Sequence, residues 1–119
     1  MTNFNINLHD HLKEVSTAEE QQQLKDLLEF EAKFLPTPSQ CRKIIKGFKP
    51  IKQLTTWATF IEMEYLTKIG LHHRRWYYRL SQSILSDSEY DHIESRISEL
   101  ADNFPELYPH NHPFRQVGY

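Results

Sequence analysis

The sequence predicts an all-α fold, a small helical domain with a C-terminal antiparallel helical hairpin and an extended tail. Three observations predict it. Apolar residues recur at helical spacing along most of the 119 residues, with no strand-like alternation. Helix-start signatures punctuate the chain, each a hydroxyl residue followed three positions later by Glu or Gln. No hairpin dipeptide, internal repeat or low-complexity block occurs.

Taken in order, Leu8, Leu12 and Val15 mark a short first helix. Ser16 or Thr17, with Glu19 or Glu20, opens a second, whose Leu24, Leu27, Leu28, Phe34 and Leu35 form a stripe in need of a partner surface. Pro36 stops it. In Thr37-Pro38-Ser39-Gln40 a capping threonine, a proline at the first helical position and a glutamine able to reach back start the next helix. Cys41, Ile44 and Ile45 are its expected buried side, and Gly47 its expected left-handed stop.

From Ile51, the positions Leu54, Trp57, Ala58, Ile61, Tyr65 and Ile69 keep helical phase, and Trp76 and Leu80 continue it. Gly70 predicts a bend or break there, since glycine costs about 1 kcal/mol relative to alanine inside a helix. Thr55, Thr56 and Thr59 lower the helical propensity, so packing must hold this segment. Residues 81–85 form a turn. Ser86-Asp87-Ser88-Glu89 caps the last helix, with Tyr90, Ile93, Ile97 and Leu100 as its buried stripe and Phe104-Pro105 as its end. The tail after Leu107 is expected to be extended.

Hydrophobic and aromatic shares of 39% and 13% exclude a wholly disordered chain. The lone Cys41 allows no internal disulfide, and no apolar run approaches the ~18–20 residues that cross a bilayer. The start, MTNFNINLHDH, lacks the order of a signal peptide, so a cytoplasmic protein without membrane partners is expected. The net charge of -2 is unevenly distributed. Residues 35–61 hold no acid but contain Arg42, Lys43, Lys46, Lys49 and Lys52, whereas residues 86–106 carry seven acids against Arg96. The two regions are set either to attract each other or to bind separate partners.

The stretch "WYYRLSQSILSDSEYDHI", residues 76–93, concentrates the candidate chemistry. Helix, turn, helix brings the end of one helix beside the start of the next. Asp87 and Asp91 share a face, Tyr90 lies next to them, and Tyr77 faces them from the opposite helix. Aromatic faces and carboxylates at a hairpin mouth suit a flat cation with hydroxyls attached, such as a nicotinamide nucleotide: the ring stacks by cation–π attraction and the acids accept from ribose or carboxamide donors. The same pattern also serves plain structure. First-turn acids offset the helix dipole and tyrosines seal helix pairs.

The residues Tyr77-Tyr78, the ten-residue step to Asp87, "DSEYD", "ISEL", "FPEL" and "HPFRQVG" resemble the N-terminal helical domain, domain Ia, of bacterial NAD-dependent DNA ligases, over about residues 66–118. That family reads Y-[HY], D-x-E-Y-D, H-P-E-L and S-P-T-Q-R-V-G. The resemblance implies a domain that folds over the nicotinamide mononucleotide (NMN) half of NAD+ while a lysine on the next domain is adenylated. It implies that Tyr77 and Tyr90 contact or sandwich the nicotinamide ring, that Asp87 and Asp91 bind its ribose and carboxamide side, and that Tyr78 supports the phosphate or ribose edge.

The sequence departs from the family in three ways. The K-x-D-G adenylation motif is absent, Arg115-Gln116 reverses the family's Gln-Arg order, and the first sixty residues have no recognised counterpart. The chain is accordingly expected to be a single domain, 1–119, comprising a helical extension (1–60) and a domain Ia-like part (61–119).

The remaining constellations are weak. His9, His11, His72, His73, His110 and His112 lack the paired spacing of a zinc site, so no metal is expected. His72-His73-Arg74-Arg75 with Arg79, and the basic run, are candidate phosphate contacts, but a pI near 6.4 argues against strong nucleic-acid binding. Three functions are in contention. The leading one is an NAD+/NMN-recognition module, noncatalytic by itself, serving a separate adenylation subunit or acting as a nicotinamide-nucleotide sensor. The second is a protein-interaction module, inhibitor or decoy that keeps the scaffold without the ligand. The third is an enzyme acting on NAD+ unaided, disfavoured because no nucleophile or poised acid–base pair is evident.

Overall fold

A computed structural model of the chain describes residues 17–115; the expected first helix, at Leu8, Leu12 and Val15, lies outside them. Among the described residues the fold is all-helical: α1 (Ala18–Ala32), α2 (Pro38–Lys46), α3 (Thr56–Leu80) and α4 (Asp87–Asn103), with 3-10 turns at Ile51–Gln53, Pro105–Leu107 and Pro113–Arg115.

The starts follow the local chemistry closely. Thr17, Thr37 and Ser86 each accept a hydrogen bond from the backbone N–H three residues on, and Glu20, Gln40 and Glu89 each reach back to the cap N–H. α3 starts at a fourth cap, Thr55, whose hydroxyl accepts from Ala58 N at 3.1 Å. It therefore begins five residues after the expected start at Ile51. The buried Thr59 hydroxyl donates to Thr55 O at 2.9 Å, so a residue of low helical propensity is accommodated without an orphaned polar group.

The ends differ from expectation. Gly47 has φ −92°, not a left-handed conformation, because α2 tightens onto the carbonyls of Lys43 and Ile44 instead. The left-handed residue is Ser81, φ 55°, where the chain leaves α3. Nor does Gly70 break α3, which runs through it as one element. Its role is steric: a Cβ at Gly70 would overlap the edge of the Phe114 ring. The tail is correspondingly not extended after Leu107. It turns at residues 109–115 and buries Phe114 against α3.

The core forms where α3 and α4 lie side by side. Met63, Leu66 and Ile69 from α3 meet Ile93, Ile97 and Leu100 from α4, with Cys41, Leu85 and Phe114 closing the ends. Each such side chain contributes about 1.5–3 kcal/mol of burial. Arg74 reaches Tyr90 and Glu94 while Arg96 reaches Glu62, so the helices run with opposite polarity. α2 packs on α4, and the Arg42–Glu89 pair at 3.1 Å joins the basic and acidic regions.

α1 packs on α3 through Leu28 and Glu31. Its predicted stripe is only partly used. Leu28 is buried and Leu24 and Leu35 are half-buried, but Leu27 and Phe34 are 66% and 73% exposed. Likewise Trp57, Ile61 and Tyr65 on α3 are exposed, whereas Ile69 and Trp76 further along are buried. No helix among the described residues is long and apolar enough to cross a membrane.

Candidate functional site

Tyr77 and Tyr78 occupy the last turn of α3, and Ser81 ends the helix at once by turning left-handed. Its N–H bonds Tyr77 O and that of Gln82 bonds Trp76 O. This sharp exit returns the chain within six residues to the Ser86 cap. The first turns of α4 thus place Asp87, Tyr90 and Asp91 beside the tyrosine pair. All five residues singled out in the sequence line one cleft of about 410 Å³, within the ~300–1,000 Å³ typical of small-molecule sites.

Three further residues complete the walls: His73, Arg74 and Glu94. Sequence reasoning grouped His73 and Arg74 with His72 and Arg75 as a basic cluster, but helical geometry divides them. His73 is four residues before Tyr77, Arg74 four before Tyr78 and Glu94 four after Tyr90, and that spacing was the available signal. His72 points elsewhere. Its Nδ1 meets Glu31 Oε1 at 2.6 Å and its Nε2 accepts from the Trp76 indole N–H at 3.1 Å. Accepting at Nε2 leaves Nδ1 to donate to Glu31, so His72 is a strut between α1 and α3.

Arg74 organises the cleft floor. Its Nε donates to the Tyr90 hydroxyl at 2.6 Å, one Nη donates to Phe114 O at 2.9 Å and the other approaches Glu94 at 3.5 Å. The guanidinium carbon sits 3.6 Å from the centroid of the Phe114 ring. Tyr90 is thereby fixed at its hydroxyl end. Burial pushes its phenol pKa up, opposed by the Arg74 hydrogen bond.

His73 stacks on Tyr90, with centroids 4.7 Å apart and planes 28° apart, and lies 6.0 Å from Tyr77. One face of Tyr90 is therefore covered by an imidazole from the chain itself. Tyr77 meets Tyr78 edge-on at 5.1 Å, and both rings are substantially exposed.

The carboxylates on α4 fall into two sets. Glu89, Glu94 and Glu99 each approach an arginine, at 3.1, 3.5 and 3.0 Å. The Ser86 backbone N–H, followed by Arg42, holds the Glu89 carboxyl below its ordinary pKa. Asp87 and Asp91, facing the cleft, have no hydrogen-bond or ion-pair partner among the described residues. Carboxylates without ion-pair partners beside exposed aromatic faces have the chemistry to accept a flat cation carrying hydrogen-bond donors. Among the described residues, no group of three or more His, Cys, Asp or Glu could hold a metal ion.

The cleft lies in the part of the chain that matches known proteins. Residues 60–118 match the model of the DNA ligase-like, N-terminal NAD+-binding domain. That segment is similar to this family. The chain is 40% identical over 57 residues to a DNA ligase of Fervidobacterium nodosum, covering 48% of this chain and 8% of the ligase. It is 40% identical over 61 residues to a DNA ligase of Buchnera aphidicola, covering 51% of this chain and 9% of the ligase. A DNA ligase of Bartonella quintana is 37% identical over 68 residues, covering 57% of this chain and 10% of the ligase. The chain thus spans about a tenth or less of these relatives. No solved structure matches it.

The family segment begins within α3 and contains the whole cleft. α1, α2 and the start of α3 precede it, and they buttress α3 and α4 from the side rather than lining the cleft.

Proposed function

We propose that the cleft recognises the NMN half of NAD+ and that the chain acts as a recognition module, noncatalytic by itself, for a separate adenylating protein or as a nicotinamide-nucleotide sensor. One observation carries the reading. On a helix whose glutamates at 89, 94 and 99 are engaged by arginines, the two aspartates facing the aromatic cleft have no partner among the described residues. Two carboxylates one helical turn apart repel each other modestly, and a cationic ligand between them relieves that repulsion. The family match to an NAD+-binding domain supports the same ligand.

In this reading the nicotinamide ring lies against the exposed face of Tyr77, with the Tyr90 edge behind it, and Asp87 and Asp91 accept from ribose hydroxyls and the carboxamide. Tyr78, the most exposed of the three tyrosines, borders the phosphate side. The cleft is open on one side, so affinity is modest until an opposing surface covers the ligand. NMR titration with NMN tests this. Tyr77, Tyr90 and Asp91 resonances are expected to shift at sub-millimolar to millimolar NMN, and Asp91→Ala to weaken binding about tenfold or more, the loss of one charge-assisted bond of ~1.5–3 kcal/mol. Wild type and Asp91→Ala both failing to respond would overturn it.

A second reading, a protein-interaction module or decoy, rests on the exposed Trp57, Ile61 and Tyr65 of α3, which lie outside the cleft. It is favoured only if a stoichiometric partner binds the chain independently of Tyr77 and Asp87.

A further inference from the structure

Taking the cleft as a nicotinamide-nucleotide site leaves one wall residue without a role, and the role inferred for that residue rests on the same reading of the cleft. His73 is 4% exposed, yet its Nδ1 has no hydrogen-bond partner among the described residues. A buried unsatisfied polar atom costs about 1–3 kcal/mol. A phenylalanine would fill the same stacked position against Tyr90 without that cost, so packing does not account for an imidazole here.

We propose that His73 is the pH-sensing wall of the cleft: as a neutral ring it admits a flat cationic base, and once protonated it excludes that base. The geometry supports this in two steps. An imidazolium must donate from both nitrogens, and a proton on Nδ1 would be sealed away with no acceptor, so the neutral ring bearing its proton on Nε2 suits this position best. Second, the ring is stacked directly on Tyr90 and is close to Tyr77, so a positive charge on it stands beside whatever cation the tyrosines hold.

The surrounding groups set the direction. From α3, Arg74, Tyr77 and Tyr78 line the cleft with the ring, and His72 precedes it while pointing toward Glu31; from α4, Asp87, Tyr90, Asp91 and Glu94 face the same cleft. The Phe114 segment adds an apolar ring and a carbonyl already bonded by Arg74. Desolvation lowers the His73 pKa, opposed by Asp87. The ring is therefore neutral above the ordinary imidazole range and gains its proton as pH falls below it. A bound cation disfavours that proton further, and by linkage the proton disfavours the cation equally.

Nicotinamide riboside is the appropriate probe, because its ring charge is fixed and it carries no phosphate to titrate. Its affinity for the full chain is measured by calorimetry from about pH 8 to about pH 5, the span in which histidine is the side chain that ordinarily changes charge. The expected result is a dissociation constant that rises toward acid by up to about tenfold per pH unit, the limit for one linked proton. His73→Phe is expected to remove that slope and neutral nicotinamide to show much less of it. In wild type alone, the His73 ring titration followed by NMR should move to lower pH when the riboside is saturating, a readout that survives if the variant misfolds. Binding with the same pH profile in wild type and His73→Phe, or a His73 titration unmoved by ligand, overturns the inference while leaving the site intact. Absence of riboside binding at every pH removes the nicotinamide reading and this inference together.

Discussion

The two ends of the α3–α4 pair use arginine and carboxylate chemistry to opposite effect. At one end Arg96, 5% exposed, donates to Glu62 at 2.5 Å, to Glu99 at 3.0 Å and to Lys49 O at 2.7 Å, and stacks on Phe48. Desolvation works against its charge, but the two glutamates together outweigh that effect and its pKa is raised. At the other end Arg74 engages Tyr90, Phe114 and Glu94, and two further carboxylates stand beside it without partners among the described residues. The first end is a closed network that locks the 3-10 turn region onto the helix pair; the second is a network left incomplete. The difference teaches that α4 carries two kinds of acid, glutamates paired with arginines that hold the fold and aspartates left without such partners, which the proposal assigns to a ligand.

The largest test of that division is Arg96→Met. Methionine keeps much of the aliphatic volume but strands Glu62, Glu99 and the Lys49 carbonyl. Removing one partner from a buried ionic network costs about 3–5 kcal/mol. The partial exposure of both glutamates places this case toward the lower end. Urea denaturation should show the midpoint falling with little change in slope. A loss under about 1 kcal/mol would mean that the closed end does not hold the fold as described.

Gly70→Ala sits between the two ends. An added Cβ gains about 1 kcal/mol of helical propensity, yet it overlaps a buried Phe114 ring, and overpacking costs about 1–3 kcal/mol. A net loss of about 1 kcal/mol is expected, together with shifted Tyr90 resonances, because Phe114 supports Arg74 and Arg74 fixes Tyr90. An alanine variant of unchanged stability and unchanged Tyr90 signal would show that Phe114 moves away from Gly70 freely.

Much of this division is legible in the sequence, and the limits follow from physics. Helix starts at Thr17, Thr37 and Ser86 are readable because a cap is a three-residue event. Tyr77, Asp87, Tyr90 and Asp91 are readable because a short turn and helical spacing force them together, whereas Tyr78 is reached only through the family resemblance. The hydrophobic stripe of α3 has the phase the spacing predicts, but phase identifies a face and not its partner. α1 lies over the C-terminal half of that face, where His72 and Trp76 are buried, while Trp57, Ile61 and Tyr65 on the same face stay exposed. Gly70 suggests a break only because its true reason, the Phe114 ring, lies 44 positions away in the chain. His73 escapes notice because two adjacent histidines invite one role, whereas neighbours on a helix point about 100° apart.

The smallest expected effect on stability is the most informative about function. Asp91→Asn at the open end removes a charge that has no ion-pair partner among the described residues, four positions from Asp87 on the same helix face. Like charges at that spacing destabilise a helix by about 0.2–0.5 kcal/mol, and Asp91 lies beyond the first turn, where the helix dipole rewards an acid. Stability should therefore stay within about 0.5 kcal/mol of wild type or rise slightly in urea denaturation, while affinity for NMN falls. A substitution that costs no stability but removes binding marks a residue maintained for its ligand. If instead Asp91→Asn destabilised the chain by more than about 1 kcal/mol, the aspartate would be a structural element like Glu62, and the contrast between the two ends would disappear.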